Sequence, residues 1–346
     1  MADPLKYVRK NILALKPYST ARDEFKGGDI SVWVDANESP YNNGVNRYPD
    51  PHQKLLKEKI SLAKGGISVD SIFVGGAGSD EAIDITFRVF CEPGVDNAIV
   101  ITPSYGVYGV AAAINDVALR EVQLNDDFTL PVDKFLAAAD EHTKLMWICS
   151  PNNPTGNAYA VEQLEALADS FDGILVVDEA YVDFSDKGSL LPRLPKHPNL
   201  VVLQTFSKAW GMAGLRAGMA FACKEIIDLY SRVKYPYNMN GPTQAELMKR
   251  MDCDISEKVS EIKAEAEWLA RNLAKARCVR NVYPTDANFL LVKFDDANAM
   301  YDYLIDNGVI VRNRSTMPGC AGCLRITVGT PDENRRIMKL INEYNS

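Results

Sequence analysis

The sequence predicts an α/β fold: a large, mainly parallel sheet of the seven-stranded type flanked by helices, joined to a smaller α+β unit. Three observations predict it. Short β-branched runs alternate with helical patterns through the first two thirds of the chain, as when crossover helices join parallel strands. After about residue 245 the texture changes, and a long charged amphipathic helix leads into mixed strand and helix sequence. With 346 residues, 47% of them hydrophobic, the chain can fill one large core and a second, smaller one.

Taken in order, Ile72-Phe73-Val74, Ala98–Ile101, Leu145–Cys149, Ile174–Val177 and Val201-Val202-Leu203 read as buried strands. Between the first two, Ser79–Phe90 places Ile83, Phe87 and Phe90 on one helical face behind Ser79, a good N-cap. Further on, Ile255–Arg277 reads as a helix and Asn288–Val292 as a strand. A helix, the strands Val309–Val311 and Leu324–Val328, and a terminal helix complete the pattern. The large unit is accordingly placed at 31–245, and the smaller one is built from 1–30 and 246–346.

The net charge of −8, without a long Lys/Arg run, argues against a general nucleic-acid binder. The start, Met1-Ala2-Asp3-Pro4-Leu5-Lys6, has no signal-peptide pattern, and no stretch is apolar enough to span a membrane. A cytoplasmic enzyme is expected. The 7 cysteines are scattered, as suits reduced thiols. Cys320 and Cys323 have the spacing of a metal or redox pair, but no second pair or nearby histidine completes a zinc set, and no metal is expected.

Ligands of such sheets gather at the carboxyl ends of the strands, and five ends carry polar groups. The first opens into Gly75-Gly76-Ala77-Gly78-Ser79, glycines followed by a helix start, which suits a phosphate. It lacks the lysine and spacing of a nucleotide P-loop. The second presents Tyr105 beside Gly106, able to stack on a flat ring. The third is the turn Ser150–Gly156, whose two prolines and glycine could hold an asparagine amide at a defined place. The fourth puts Asp178 directly after apolar strand residues, with Tyr181 close behind. That carboxylate needs a partner, either a protonated pyridine nitrogen or magnesium. The fifth ends in Thr205-Phe206-Ser207-Lys208, with Arg216 beyond a small-residue turn. Alone, Lys208 reads more readily as a solvated surface lysine after a buried strand. Together, a phosphate cradle, a stacking ring, an amide, a carboxylate and an amine able to form an imine describe a pyridoxal 5'-phosphate site.

The strings SPNNPTG, DEAYVDF, TFSKAWGMAGLRAG and CLRITVG resemble those of the fold-type-I aminotransferases. Leu15–Arg22, Asp35–Pro40, Asn46–Pro51, Gly76–Glu81 and Arg312–Arg325 narrow the resemblance to the histidinol-phosphate aminotransferase family, along nearly the whole chain. The resemblance implies a two-domain homodimer in which Lys208 binds the cofactor covalently and Asp178 pairs with its ring nitrogen. Asn153 and Tyr181 would hold the ring oxygen and Tyr105 would stack on the ring. Backbone at Ala77, Gly78 and Ser79, with Thr205, Ser207 and Arg216, would bind the phosphate, and Tyr48 would reach the neighbouring subunit's cofactor. Arg325 matches a carboxylate-binding arginine, while Arg312 and Tyr18 match substrate-anion residues. Thr205 replaces the usual serine and keeps the hydroxyl; the tract Trp210–Ala213 is variable and outside the chemistry.

The expected reaction moves the amino group of L-histidinol phosphate to 2-oxoglutarate, giving imidazole-acetol phosphate and L-glutamate in histidine biosynthesis. Lys208 would serve as the base, its proton affinity lowered by Arg216. Arg312 and Arg325 flank a glycine-containing turn and could grip a phosphate monoester together. Aromatic amino-acid transamination and phosphothreonine decarboxylation are the alternatives within the same cofactor class. Outside it, a nucleotide- or metal-dependent α/β enzyme would use Asp178 and the Gly75–Ser79 loop for magnesium phosphate.

Overall fold

The computed structural model describes residues 3–20, 27 and 31–344. Seven strands form the large sheet: β1 (Ile72–Gly78), β2 (Asn97–Thr102), β3 (Ala118–Gln123), β4 (Thr143–Cys149), β5 (Ile174–Asp178), β6 (Leu200–Thr205) and β7 (Gly218–Phe221). Their order is β1-β7-β6-β5-β4-β2-β3. Only β7 runs against its neighbours, β1 and β6; every other pairing is parallel. The remaining strands therefore all point their carboxyl ends to one edge. Thr205 faces Gly218 across the β6–β7 pair, so the segment between them is a loop closed over that edge.

The strands read as continuous apolar runs because helices cover both faces of the sheet. Ile99, Ile101, Met146, Ile148, Leu175, Val177 and Val202 enter one core. Their sequence neighbours Ala98, Val100, Leu145, Trp147, Val176, Val201 and Leu203 enter the other, on the opposite face. Helix Ser79–Phe90 forms as expected and buries Ile83, Phe87 and Phe90. The Phe87 ring stacks on Trp147 at 5.2 Å between centroids. Burying each such side chain stabilises the fold by roughly 1.5–3 kcal/mol.

Beyond it, β8 (Val279–Val282), β9 (Phe289–Phe294), β10 (Arg312–Asn313) and β11 (Cys323–Thr327) form a separate antiparallel sheet in the order β10-β11-β9-β8. Helices Ser256–Leu273, Ala297–Asp306 and Pro331–Glu343 bury Leu269, Leu273, Met300, Leu304, Ile337 and Ile341 against Leu290, Val292, Leu324 and Ile326 of this sheet. The last helix starts with a capping box between Thr330 and Glu333.

The structure corrects the sequence reading in three places. Strands β3, β7 and β8 are additional: β3 is a largely exposed edge, and β7 and β8 are 4 residues each, too short or too polar to stand out. Val309–Val311 is a connector, because Gly308 at φ 75° ends the preceding helix and Val309 N–H caps the carbonyl of Leu304; pairing starts at Arg312. The described part of 1–30 does not join the small sheet. Tyr7, Val8 and Ile12 pack into the core on one face of the large sheet, and Lys6 and Tyr7 both donate to Asp172.

Candidate active site

The carboxyl edge of the large sheet and the β10–β11 edge of the small one enclose a cleft of about 510 Å³. Gly78, Ser79, Tyr105, Asn153, Asp178, Tyr181, Thr205, Ser207, Lys208, Arg216, Arg312 and Arg325 all line it.

Lys208 leaves the loop after β6. That loop is held by Ser207 N–H donating to Thr205 Oγ1 at 3.1 Å and by the turn in which Gly211 N–H donates to the Lys208 carbonyl. Its ammonium lies 5.4 Å from the centre of the Tyr181 ring. Burial lowers its proton affinity, and the positive charge of Arg325 lowers it further. Arg216, which the sequence reading credits with this effect, contributes less than Arg325, while Asp178 and Asp80 oppose the shift.

Asp178 ends β5 and is buried. Its Oδ2 accepts the Tyr108 hydroxyl at 2.7 Å and its Oδ1 accepts Ala180 N–H at 3.1 Å. Burial pushes its carboxyl up to about 6. Tyr108, a residue to which the sequence reading gives no role, is fully buried against Trp147, with ring centres 5.0 Å apart. It stands in the helix just after Tyr105, and that spacing was the signal available.

Strand β1 turns into helix Ser79–Phe90 through Gly78 at φ 81°. A Cβ on Gly78 would sit 2.9 Å from Arg216 Nη2, so glycine gives that guanidinium its place. Two expected phosphate donors are already engaged. Ala77 N–H faces Glu81 Oε2 at 3.3 Å, and Gly78 N–H donates to the Arg216 carbonyl at 2.9 Å. The turn folds back over Glu81, which also accepts Gly76 N–H and Asn238 Nδ2. Anion-binding capacity here therefore lies with Ser79 and the first helical turn, whose N–H groups have no intrahelical acceptor. Arg216, at φ 51°, donates to the Ala77 carbonyl at 3.1 Å and approaches Asp80 at 3.5 Å. Asp80 also accepts the Tyr105 hydroxyl at 3.2 Å, linking two predicted residues through one that sequence reasoning did not single out.

Asn153 sits on a turn that Asn152 fastens by donating to the Pro103 carbonyl and to Thr155 Oγ1. Gly156 of the same turn accepts Asp286 N–H from the small-sheet side. Asn153 Oδ1 accepts Arg325 Nη1, tying the cleft's two walls together. Arg325 stands opposite Arg312 in the β10–β11 register, with its guanidinium 5.2 Å from the Phe289 ring centre. Arg314 and Met317 line the same wall and were not anticipated.

Tyr18 and Tyr48 are elsewhere. Tyr18 is 74% exposed. Tyr48 stacks on Tyr237 at 4.3 Å, beside a separate surface depression lined by Asn37, Arg47 and Pro242. Ala21 and Arg22 of the N-terminal motif lie outside the described residues. Cys320 and Cys323 are buried thiols packed into the core and do not line the cleft.

The cleft thus holds an anion-binding corner at Ser79, Ser207 and Arg216, a buried carboxylate and an amine of lowered proton affinity. That donor set fits the phosphate, ring nitrogen and aldehyde of pyridoxal phosphate. Residues 21–341 match the family model for aminotransferase class I and II. Histidinol-phosphate aminotransferase of Bacteroides thetaiotaomicron is 49% identical to this chain, covering 97% of both. That of Parabacteroides distasonis is 49% identical, covering 98% of both. In structure, the histidinol-phosphate aminotransferase of Sinorhizobium meliloti in complex with pyridoxal-5'-phosphate superposes with a TM-score of 0.79 at 24% identity, covering 86% of this chain and 82% of that one. Aspartate aminotransferase of Thermotoga maritima gives 0.76 at 23%, covering 90% and 91%. The structural likenesses show the fold alone; the sequence identity over almost the entire length shows more. The chain belongs to the class I and II aminotransferases and, among them, to the histidinol-phosphate aminotransferase family.

Proposed function

We propose that this protein transfers the amino group of L-histidinol phosphate to 2-oxoglutarate, yielding imidazole-acetol phosphate and L-glutamate in histidine biosynthesis, with pyridoxal phosphate as cofactor. The observation that carries the reading is the meeting, in one cleft, of Lys208, Asp178 and the Ser79–Arg216 corner with arginines from the small sheet. Bound pyridoxal phosphate supplies an electron sink that makes the substrate's α-carbon acidic. Ser79, Thr205, Ser207 and Arg216 hold its phosphate and Asp178 its ring nitrogen. Asn153 and Tyr181 hold the ring oxygen, and Tyr105 packs on the ring. The Lys208 amine, its proton affinity lowered by desolvation and by the charge of Arg325, would take the proton from the substrate's α-carbon and return it during the exchange. Arg325 grips the carboxylate of glutamate, and Arg312 adds a second guanidinium for the phosphate of the amine donor.

The active form is a homodimer in which a second copy supplies Tyr48, and Tyr18 is a substrate-anion residue. In support of the dimer, Tyr48 lies outside the cleft of its own chain, and Val32, Trp33, Val34, Tyr41 and Val45 expose a run of large apolar side chains in the same N-terminal region. No helix among the described residues is long and apolar enough to cross a membrane. The seven free cysteines suit a reducing compartment and support the reading of a cytoplasmic enzyme.

A panel of amino donors with 2-oxoglutarate tests the reading. Histidinol phosphate should be used far better than phenylalanine, tyrosine or aspartate. Arg312→Ala should raise KM for histidinol phosphate by roughly 10- to 100-fold, the worth of a charge-assisted contact, and leave phenylalanine nearly unchanged. Equal losses for both donors would remove Arg312 from phosphate recognition. Release of carbon dioxide without need for a keto acid would replace the reaction with a decarboxylation.

A further inference from the structure

The β10–β11 edge carries more positive charge than one carboxylate can use. Arg312 stands directly opposite Arg325, and Arg314 N–H donates to the Cys323 carbonyl one step further along the ladder. Side chains alternate along a strand, so Arg312 and Arg314 share the face that looks into the cleft, where both are found with Arg325. Like charges placed opposite one another on a sheet repel. None of the three forms an ion pair with a described carboxylate. The carboxylates on the cleft wall are Asp80, which lies against Arg216, and Asp178, which accepts Tyr108. Arg325 is partly satisfied by Asn153, but the Nε atoms of Arg314 and Arg325 are both buried without a hydrogen-bond partner.

Arg314 cannot relieve this by losing its proton, since a guanidinium stays charged in proteins. Burial and the charges of Arg325 and Arg312 all act against it. It is nonetheless fixed in place. Met317 N–H donates to the Arg314 carbonyl, Cys320 N–H to that of Met317, and Cys323 N–H to that of Cys320. The fully buried Cys320 and Cys323 side chains anchor this chain of turns in the core. The pair whose spacing resembles a metal or redox motif thus serves to hold Arg314 at the cleft.

We propose that Arg314 is a specificity-determining residue: a third guanidinium that, with Arg312 and Arg325, selects a substrate bearing a phosphate monoester over one bearing a carboxylate at the same place. A carboxylate offers two oxygens and one charge, which a single bidentate arginine satisfies. A phosphate monoester offers three oxygens and nearly two charges, enough for the additional donors. The inference deepens the proposed function and takes from it the position of the substrate.

The test uses holoenzyme and two unreactive probes, glycerol 3-phosphate and glutarate, with Arg314→Gln and Arg314→Lys, followed by calorimetry and by donor kinetics. Arg314→Gln should weaken glycerol 3-phosphate about tenfold or more and glutarate less than about twofold. It should raise KM for histidinol phosphate about tenfold while kcat stays within about threefold. Arg314→Lys, which keeps the charge but not the fork, should recover part of the loss, and it reads the same contact should the glutamine variant fold poorly. Unchanged binding of glycerol 3-phosphate, equal weakening of both probes, or a wild type that does not bind the phosphate probe would each overturn the inference. A wild type that leaves histidinol phosphate untouched, yet loses the phosphate probe selectively on Arg314→Gln, would refute the proposed function and leave this inference standing.

Discussion

Lys208→Ala is expected to retain pyridoxal phosphate and to lose at least about 10³-fold in transamination, the upper range for removal of a general base that is also a nucleophile. Cofactor retention follows from the number of independent contacts that remain: Asp178, Arg216, Ser79, Ser207 and Tyr105 all line the same cleft. Activity fails because no other group can do the lysine's work. Tyr181 has its ring centre 5.4 Å from the lysine amine, but burial raises its hydroxyl far above neutrality. Borohydride treatment followed by peptide mass analysis should fix the cofactor on Lys208 of the wild type and on nothing in the variant. Turnover within tenfold of wild type would show that another base moves the proton.

Asp178→Asn is expected to lower kcat by about 10²–10³-fold, through loss of the charge that keeps a ring nitrogen protonated, and at the same time to stabilise the protein prepared without cofactor. In the folded chain burial pushes the Asp178 carboxyl up to about 6, from the ordinary aspartate value of 3.8. Between those values the folded protein holds a proton that the unfolded chain has lost. The stability this carboxyl contributes is therefore fully present below its unfolded value and falls as pH rises through about 6. Above that pH the buried charge costs roughly 3 kcal/mol, at about 1.4 kcal/mol per unit. Asparagine stays neutral, and its amide can still serve both Ala180 N–H and the Tyr108 hydroxyl. Thermal unfolding of the cofactor-free pair should show the variant more stable at pH 8 and the two equal near pH 4. A more stable wild type at pH 8 would mean that the carboxylate already has a cationic partner. Glu179, also buried and pushed up to about 7, is common to both proteins and cancels from the comparison.

Legibility differs from one element to the next for physical reasons. Ile174–Val177 and Leu145–Cys149 stand out because strands covered on both faces must be apolar at every position, and a polar residue at their ends is conspicuous for the same reason. Ala118–Gln123 runs along an exposed edge and Gly218–Phe221 is a short return strand; neither needs a long apolar run, so neither shows in the pattern. Tyr108 and Asp80 were passed over because their importance lies in partners distant in sequence. Tyr108 reaches Asp178 from another strand's connection, and Asp80 joins Arg216 to Tyr105. Tyr7, Val8 and Ile12 carry no local mark of the core they enter.

The sequence by itself determined the fold class, the amine, the carboxylate and the cofactor they suit, because each is written in a local run of residue types: an apolar strand followed at once by a reactive side chain. Only the tertiary structure decided which charge tunes Lys208, which backbone donors of the glycine-rich turn remain for an anion, and how many arginines meet at the cleft. Those are matters of distance between segments, and Coulomb energy, burial and hydrogen-bond capacity depend on distance in space, which the order of residues along the chain does not record.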